Sequence, residues 1–301
     1  MTMCAASAAA IGISVARVKK DELSENKIPL TGVAGAMIFA AQMVDFAIPG
    51  TGSSGHIGGG ILLAGLLGGF PAFLAVTAVI IIQCLFFADG GLLALGCNIF
   101  NLGVIPCLLI YPLVFKPLLR NGISRRSLSF ASVASVVIGL ELGAFCVVLQ
   151  TTMSGITALP FNIFIAFMLP IHLAIGFAEG IITAAVLCFI HKMQPELIDA
   201  SLSRKQPGGS SMKKPLIALL TLTVVAGGIL SLFASPDPDG LEWSVQRTTF
   251  KVTGAEAELE EADGIFESGL IGSAITFTLA AAAGLIITKV KKRKKTKVED
   301  V

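Results

Sequence analysis

The sequence predicts an all-α polytopic membrane protein of about nine transmembrane helices, N-terminus outside and C-terminus inside. Three observations predict it. Of the 301 residues, 54% are hydrophobic and only 14% charged, where an ordinary soluble domain carries about 25% charged residues. The mean hydropathy is +0.84, and apolar runs close to the ~20 residues that cross a bilayer core recur along the chain. Finally, every Lys and Arg except Arg247 and Lys251 falls on one side when the runs are threaded alternately through a membrane, as the positive-inside rule requires. Together these exclude a soluble enzyme, a disordered protein and a secreted disulfide scaffold. The 32 glycines suit transmembrane helices. The six cysteines lie in or beside apolar stretches with no C-x-x-C and read as small buried residues.

The spans follow in order. A short first one at 3–18 ends in Arg17, Lys19 and Lys20, the reverse of signal-peptide order. A second runs 30–48, followed by a Gly-rich turn from Pro49 to Gly55. The third (57–69) and fourth (71–88) meet at Gly68-Gly69-Phe70-Pro71, and Asp89-Gly90-Gly91 precedes the fifth at 92–115. A sixth lies at 128–150. The stretch 160–191 contains Pro170 and is read as a short helix followed by span seven. Two more, at 215–233 and 269–288, follow a polar linker at 193–214. This divides the chain into a membrane domain at 1–192, a cytoplasmic linker at 193–214 and a two-helix domain at 215–301. That last domain has an acidic outer loop, read as an ordinary solvated loop, and a basic tail. Topology and anionic inner-leaflet lipid account for the tail, and no nucleic-acid partner is expected.

Two groups of residues are candidates for chemistry. Gly50-Thr-Gly-Ser-Ser-Gly-His56-Ile57 imitates a phosphate-binding loop until its last two positions, where the Lys and the Ser/Thr of that motif are missing. No nucleotide site is expected on this chain. What remains is an imidazole at the outer mouth of a helix pair, among small residues that leave room for a ligand. Neutral imidazole is a common ligand for Ni²⁺, Co²⁺ and Zn²⁺; a simple interfacial, helix-capping role is the alternative. The second group is polar residues within spans: Gln83, Asn98, Asn101, Glu141, His172 and Glu179. Each is expensive at membrane depth. Interhelical hydrogen bonding is the competing explanation, and it is the reading adopted for Glu141 and Glu179. No H-E-x-x-H and no Ser-His-Asp order supports an enzyme.

Three stretches carry a resemblance. They are Pro29-Leu-Thr-Gly-Val with Phe39-Ala-Ala-Gln-Met and Ile48-Pro-Gly-Thr-Gly-Ser-Ser-Gly-His56; Gln83-Cys-Leu-Phe-Phe-Ala-Asp-Gly-Gly through Asn98 and Asn101; and His172-Leu-Ala-Ile-Gly-Phe-Ala-Glu179-Gly-Ile-Ile-Thr183. Over roughly 1–192 the chain resembles CbiM/NikM, the substrate-binding membrane subunits of energy-coupling factor (ECF) importers for cobalt and nickel. Ser235-Pro-Asp-Pro238-Asp-Gly-Leu-Glu242-Trp243 resembles the PDGLE motif of the small NikN/CbiN-like accessory subunit, so the chain looks like a fusion of the two.

The resemblance implies a seven-helix bundle plus two C-terminal helices in the cell membrane. It implies capture of Co²⁺ or Ni²⁺ as the transported substrate, and partners in a CbiQ/NikQ-like coupling subunit and CbiO/NikO-like ATPases. It makes His56 a metal ligand. Ser53, Ser54, Asn98 and His172 are candidates for a surrounding shell, and the small pair Ala36 and Ala40 for contact with the coupling subunit. The family's other ligands come from a Met-His chain start, whereas this sequence begins Met1-Thr2-Met3. The short first span points to a start about a dozen codons upstream, which would also bring that span to the usual length; the alternative is a chain as given, with an incomplete metal site. A stand-alone cation channel or secondary carrier is the alternative function.

Overall fold

The computed structural model describes residues 2–20, 27–87, 89–203 and 213–255, with Ile275 and Thr278. Two apolar helices come first, α1 (Thr2–Lys20) and α2 (Lys27–Gln42). A two-stranded antiparallel hairpin follows, β1 (Phe46–Ile48) and β2 (Ser53–Gly55), with Phe46 opposite Gly55 and Ile48 opposite Ser53. Then come α3 (Gly60–Leu67), α4 (Gly69–Phe86), α5 (Gly91–Leu118), α6 (Arg125–Ser154) and α7 (Phe161–Met193). The short α8 (Pro195–Ser203) precedes α9 (Lys213–Gly228), and α10 (Gly240–Thr253) closes the described chain.

Among the described residues, α4, α5, α6, α7 and the stretch Lys213–Phe233 are long and apolar enough to cross a membrane. The chain is a multi-pass membrane protein.

Most of the expected spans coincide with helices, but two do not. The third, expected at 57–69, is not a crossing helix: α3 has eight residues, about 12 Å against a ~30 Å bilayer core. All eight are buried, and α3 packs against α4, α5, α7 and α8. It is an interior half-helix, which is why its sequence is as apolar as a span. Its N-terminus is set by Gly59, whose φ of 75° favours glycine. The second departure is Pro170, which does not divide 160–191: α7 runs unbroken for 33 residues, about 50 Å. Proline removes one amide donor, and close packing along α6 carries the helix past it. That packing is tight because Gly176 and Gly180 face α6; a Cβ at Gly180 would lie 2.9 Å from the Cα of Val133. Small residues spaced by four let membrane helices approach this closely.

In α5, the stretch Ile99–Phe115 winds in wide π-type turns around Pro106 and Pro112. The wide turns relieve the clash between each proline ring and the preceding carbonyls.

The first part of the stretch read as a polar linker is also helical. In α8, Leu197, Ile198, Ala200 and Ser201 are buried. Ser201 Oγ donates to Gly65 O at 2.6 Å, Tyr111 Oη to Ser201 O at 3.0 Å, and Lys116 Nζ to Leu202 O at 2.8 Å. Residues 204–212 and the ninth span expected at 269–288 lie outside the described residues.

Ala36 and Ala40, expected to meet a coupling subunit, are 3% and 0% exposed. Helix α2 packs between α4 and α9, so this chain's own helices enclose the small pair. The contact assigned to it is corrected accordingly.

Candidate metal centre

The loop that imitates a phosphate-binding motif folds as a hairpin turn. Thr51 Oγ1 donates to Ile48 O at 2.8 Å and accepts from Ser53 N at 3.1 Å, while Gly50 and Gly52 take positive φ. From β2 the chain runs inward through His56 to α3. The C-terminal segment closes over this hairpin. Ser54 N donates to Pro238 O and Ser54 Oγ to Asp237 O, each at 2.8 Å; Ser235 N donates to Asp45 O at 2.8 Å, and Trp243 Nε1 to Thr51 O at 3.0 Å. Ser53 and Ser54 are both 0% exposed. Ser53 Oγ donates to Ser54 O at 3.1 Å, so both hydroxyls are engaged with backbone carbonyls.

His56 lies under this cover, and its Nδ1 is buried without a hydrogen-bond partner. Burial pulls the imidazole down, but the carboxylates of Asp45, Asp239, Asp89 and Glu179 outweigh it and raise it above the ordinary histidine value. Asp45 Oδ1 is likewise buried and unpartnered. Burial raises the Asp45 carboxyl, His56 opposes this, and Asp239 and Asp89 reinforce it. Asp239 also caps α10, since its Oδ1 accepts from Leu241 N and Glu242 N, each at 2.8 Å.

His172 comes in from α7. Its Nδ1 is 2.8 Å from Met168 O; a carbonyl only accepts, so Nδ1 carries a proton and donates it. The ring lies against Gly240, where a Cβ would be 3.0 Å from Cε1 and 3.4 Å from Nε2. That position in the PDGLE motif therefore needs glycine for close approach. Further along α7, Glu179 is 3% exposed, and its Oε1 accepts from Gly59 N at 2.9 Å. Gln83 Nε2 donates to Gln42 Oε1 at 2.9 Å, and Gln42 Nε2 to Gly58 O at 3.0 Å, so a buried glutamine pair holds the loop from its other side.

The site thus gathers His56, His172 and both serines. Asn98 packs instead against the Asp89-Gly90 turn, its amide close to Gly90. Asn101 exchanges two hydrogen bonds with Gln150, at 2.9 and 3.1 Å, which tie α5 to α6. Sequence reasoning missed Asp45 and Asp239 as neighbours of His56. A lone acid in an otherwise apolar stretch was a usable signal for Asp45. Asp239 was hidden among many acids of one loop. Among the described residues, no three His, Cys, Asp or Glu side chains stand close enough to hold a metal by themselves. The arrangement can draw a cation into an acidic mouth and offer it imidazole nitrogen.

Comparisons with known proteins place the chain in a family. The family profile described as "Cobalt uptake substrate-specific transmembrane region" matches residues 1–197, and a PDGLE domain profile matches residues 213–268. A relative from Haloquadratum walsbyi, described as a metal transport protein, is 38% identical over 64% of this chain and 84% of its own length. One from Lactiplantibacillus plantarum, described as a fused nickel transport protein, is 32% identical over 81% of this chain and 74% of its own length. A crystal structure of a transition metal transporter is 27% identical, with a TM-score of 0.56 over 67% of this chain and 92% of that one. The chain belongs to the CbiM family and carries a PDGLE domain behind the CbiM region.

Proposed function

We propose that this chain is the substrate-capture subunit of an energy-coupling factor importer for Co²⁺ or Ni²⁺. It binds the metal at the outer face through His56, and separate CbiQ/NikQ-like coupling and CbiO/NikO-like ATPase subunits supply the energy. The observation that carries the reading is the buried, unpartnered Nδ1 of the half-buried His56, whose ring feels carboxylates of separate segments. Relatives described as nickel and cobalt transport proteins support the choice of metals. In this reading 1–192 is the metal-binding domain, 193–214 the cytoplasmic connection and 215–301 the accessory domain.

The residues divide the work. Asp45, Asp89 and Asp239 concentrate dications at the mouth, and His56 offers the nitrogen donor. Ser54, Trp243 and Asp45 O hold the PDGLE segment over the hairpin, so the accessory domain is placed to assist loading.

Equilibrium dialysis of the full chain with ⁵⁷Co²⁺ or ⁶³Ni²⁺ tests the assignment. Binding is expected for the wild type and its loss for His56→Ala; equal binding by both would overturn it. Uptake by cells making this chain alone addresses the alternative. Strong uptake without coupling and ATPase subunits would instead make the chain a stand-alone channel or carrier.

A further inference from the structure

Helix α1 lies against α5, and a cysteine from each helix stands at their closest approach. Gly96 makes that approach possible. A Cβ on it would lie 2.6 Å from Cys4 Sγ and 2.7 Å from both Cα and N of Cys4. The register is fixed on either side of Cys4. Ser7 Oγ donates to Gly96 O at 2.8 Å, and Gln150 Nε2 of α6 donates to Met3 Sδ at 3.6 Å. Cys97 follows Gly96 along α5, its Cα about 3.8 Å further on. Disulfides join Cα atoms about 4.4–6.8 Å apart, and the two thiol groups are near enough to act electrostatically on one another. Packing as a small apolar residue accounts for Cys84 and Cys107, which are buried. It does not account for Cys4, which is exposed beside a half-buried Cys97.

We propose that Cys4 and Cys97 are a redox-active pair that closes to an intramolecular disulfide and staples α1 to α5. The oxidant is a small-molecule or protein disulfide, R–S–S–R. The exposed Cys4 reacts first, as its thiolate: Sγ bonds to one sulfur of the oxidant, the S–S bond breaks, and one R–S⁻ leaves. The Cys97 thiolate then attacks Cys4 Sγ, displacing the second R–S⁻ and closing the Sγ–Sγ bond. Two electrons pass to the oxidant, and the two protons lost by the cysteines are taken up by the two leaving thiolates. The staple falls about two helical turns from Gly90, against which the Asn98 amide packs. Closure therefore fixes the first turns of α5 on α1, and the pairing does not depend on metal capture at His56.

The test uses the full chain in lipid nanodiscs, incubated at mildly alkaline pH with oxidised glutathione or with dithiothreitol. Intact mass, a non-reducing gel and maleimide labelling after unfolding are then compared. Of the six cysteines, the oxidised wild type is expected to label at two fewer than the reduced chain. It should weigh two hydrogen atoms less, run as a monomer and regain both thiols with dithiothreitol. Cys4→Ser and Cys97→Ser are each expected to abolish the two-hydrogen loss, whereas Cys146→Ser keeps it. Should Cys97→Ser fail to fold, Cys4→Ser decides, because its position is exposed. A wild type that keeps all six thiols, stops at a glutathione adduct or links two chains would overturn the inference. So would a two-hydrogen loss that persists in Cys4→Ser or Cys97→Ser.

Discussion

At the scale of single residues, Ser54 shows how little chemistry joins the two halves of the chain. Its amide and hydroxyl hold consecutive carbonyls of the C-terminal segment. Ser54→Ala removes one of these bonds and leaves the other, so a loss of about 1 kcal/mol in unfolding free energy is expected. A loss above about 3 kcal/mol, read by denaturant unfolding in detergent, would show that the hydroxyl does more than tether. His56 makes a pH-dependent prediction. Its carboxylate neighbours overcome burial and raise its pKa. The protonated ring therefore stabilises the empty folded chain fully below about pH 6.5, the unfolded value. That contribution is lost as pH rises through the higher folded value. Metal binding needs the neutral ring, so Co²⁺ affinity should climb with pH through a window above about 6.5. Asp45→Asn removes the largest opposing carboxylate and should move that window downward; dialysis across a pH series measures it. An unmoved window would mean that Asp45 does not govern the ring.

At the scale of elements, the α6–α7 contact depends on the absence of side chains. Gly180→Leu drives a side chain into the Val133 backbone, which a Cβ alone would already meet at 2.9 Å. Separation of the two helices and a destabilisation of about 3 kcal/mol or more are expected. Near-wild-type thermal stability would show that α6 and α7 can slide apart without cost. Hydropathy located α4, α5, α6 and α7 well, because each is a continuous apolar run. It misread α3, because a half-helix buried by protein and a helix buried by lipid have the same composition. It also misread Pro170, because proline removes one hydrogen bond whether or not neighbouring helices hold the helix together. The buried residues of α8 were missed for a different reason. Nine residues between polar stretches are too few to show a clear period, and Ser201 is buried through bonds to Gly65 and Tyr111 that lie far away in sequence.

At the scale of the whole molecule, the C-terminal domain is built into the CbiM-like domain. Helix α9 lies on α2, and α10 lies on α7 and on the hairpin. A chain divided between Ser203 and Lys213 and expressed as two polypeptides should therefore copurify through a tag on either part. Trp243→Ala, which removes the bond to Thr51 O and the ring contact with Phe167, should weaken that association; fragments that fail to copurify would show that the covalent connection is required. The amino-acid sequence by itself determined the membrane environment, the family and the presence of a fused PDGLE segment, and it singled out His56 as the candidate ligand. Composition, charge segregation and motif spacing are local properties, and a linear reading captures them. Only the tertiary structure decided that the charges of Asp45, Asp239 and Glu179 act on that imidazole, and that Ala36 and Ala40 are enclosed. Gly59 and Glu179 are 120 positions apart and Ser54 and Asp237 are 183 apart. Contacts at that separation are set by how helices pack, and no periodicity along the chain encodes them.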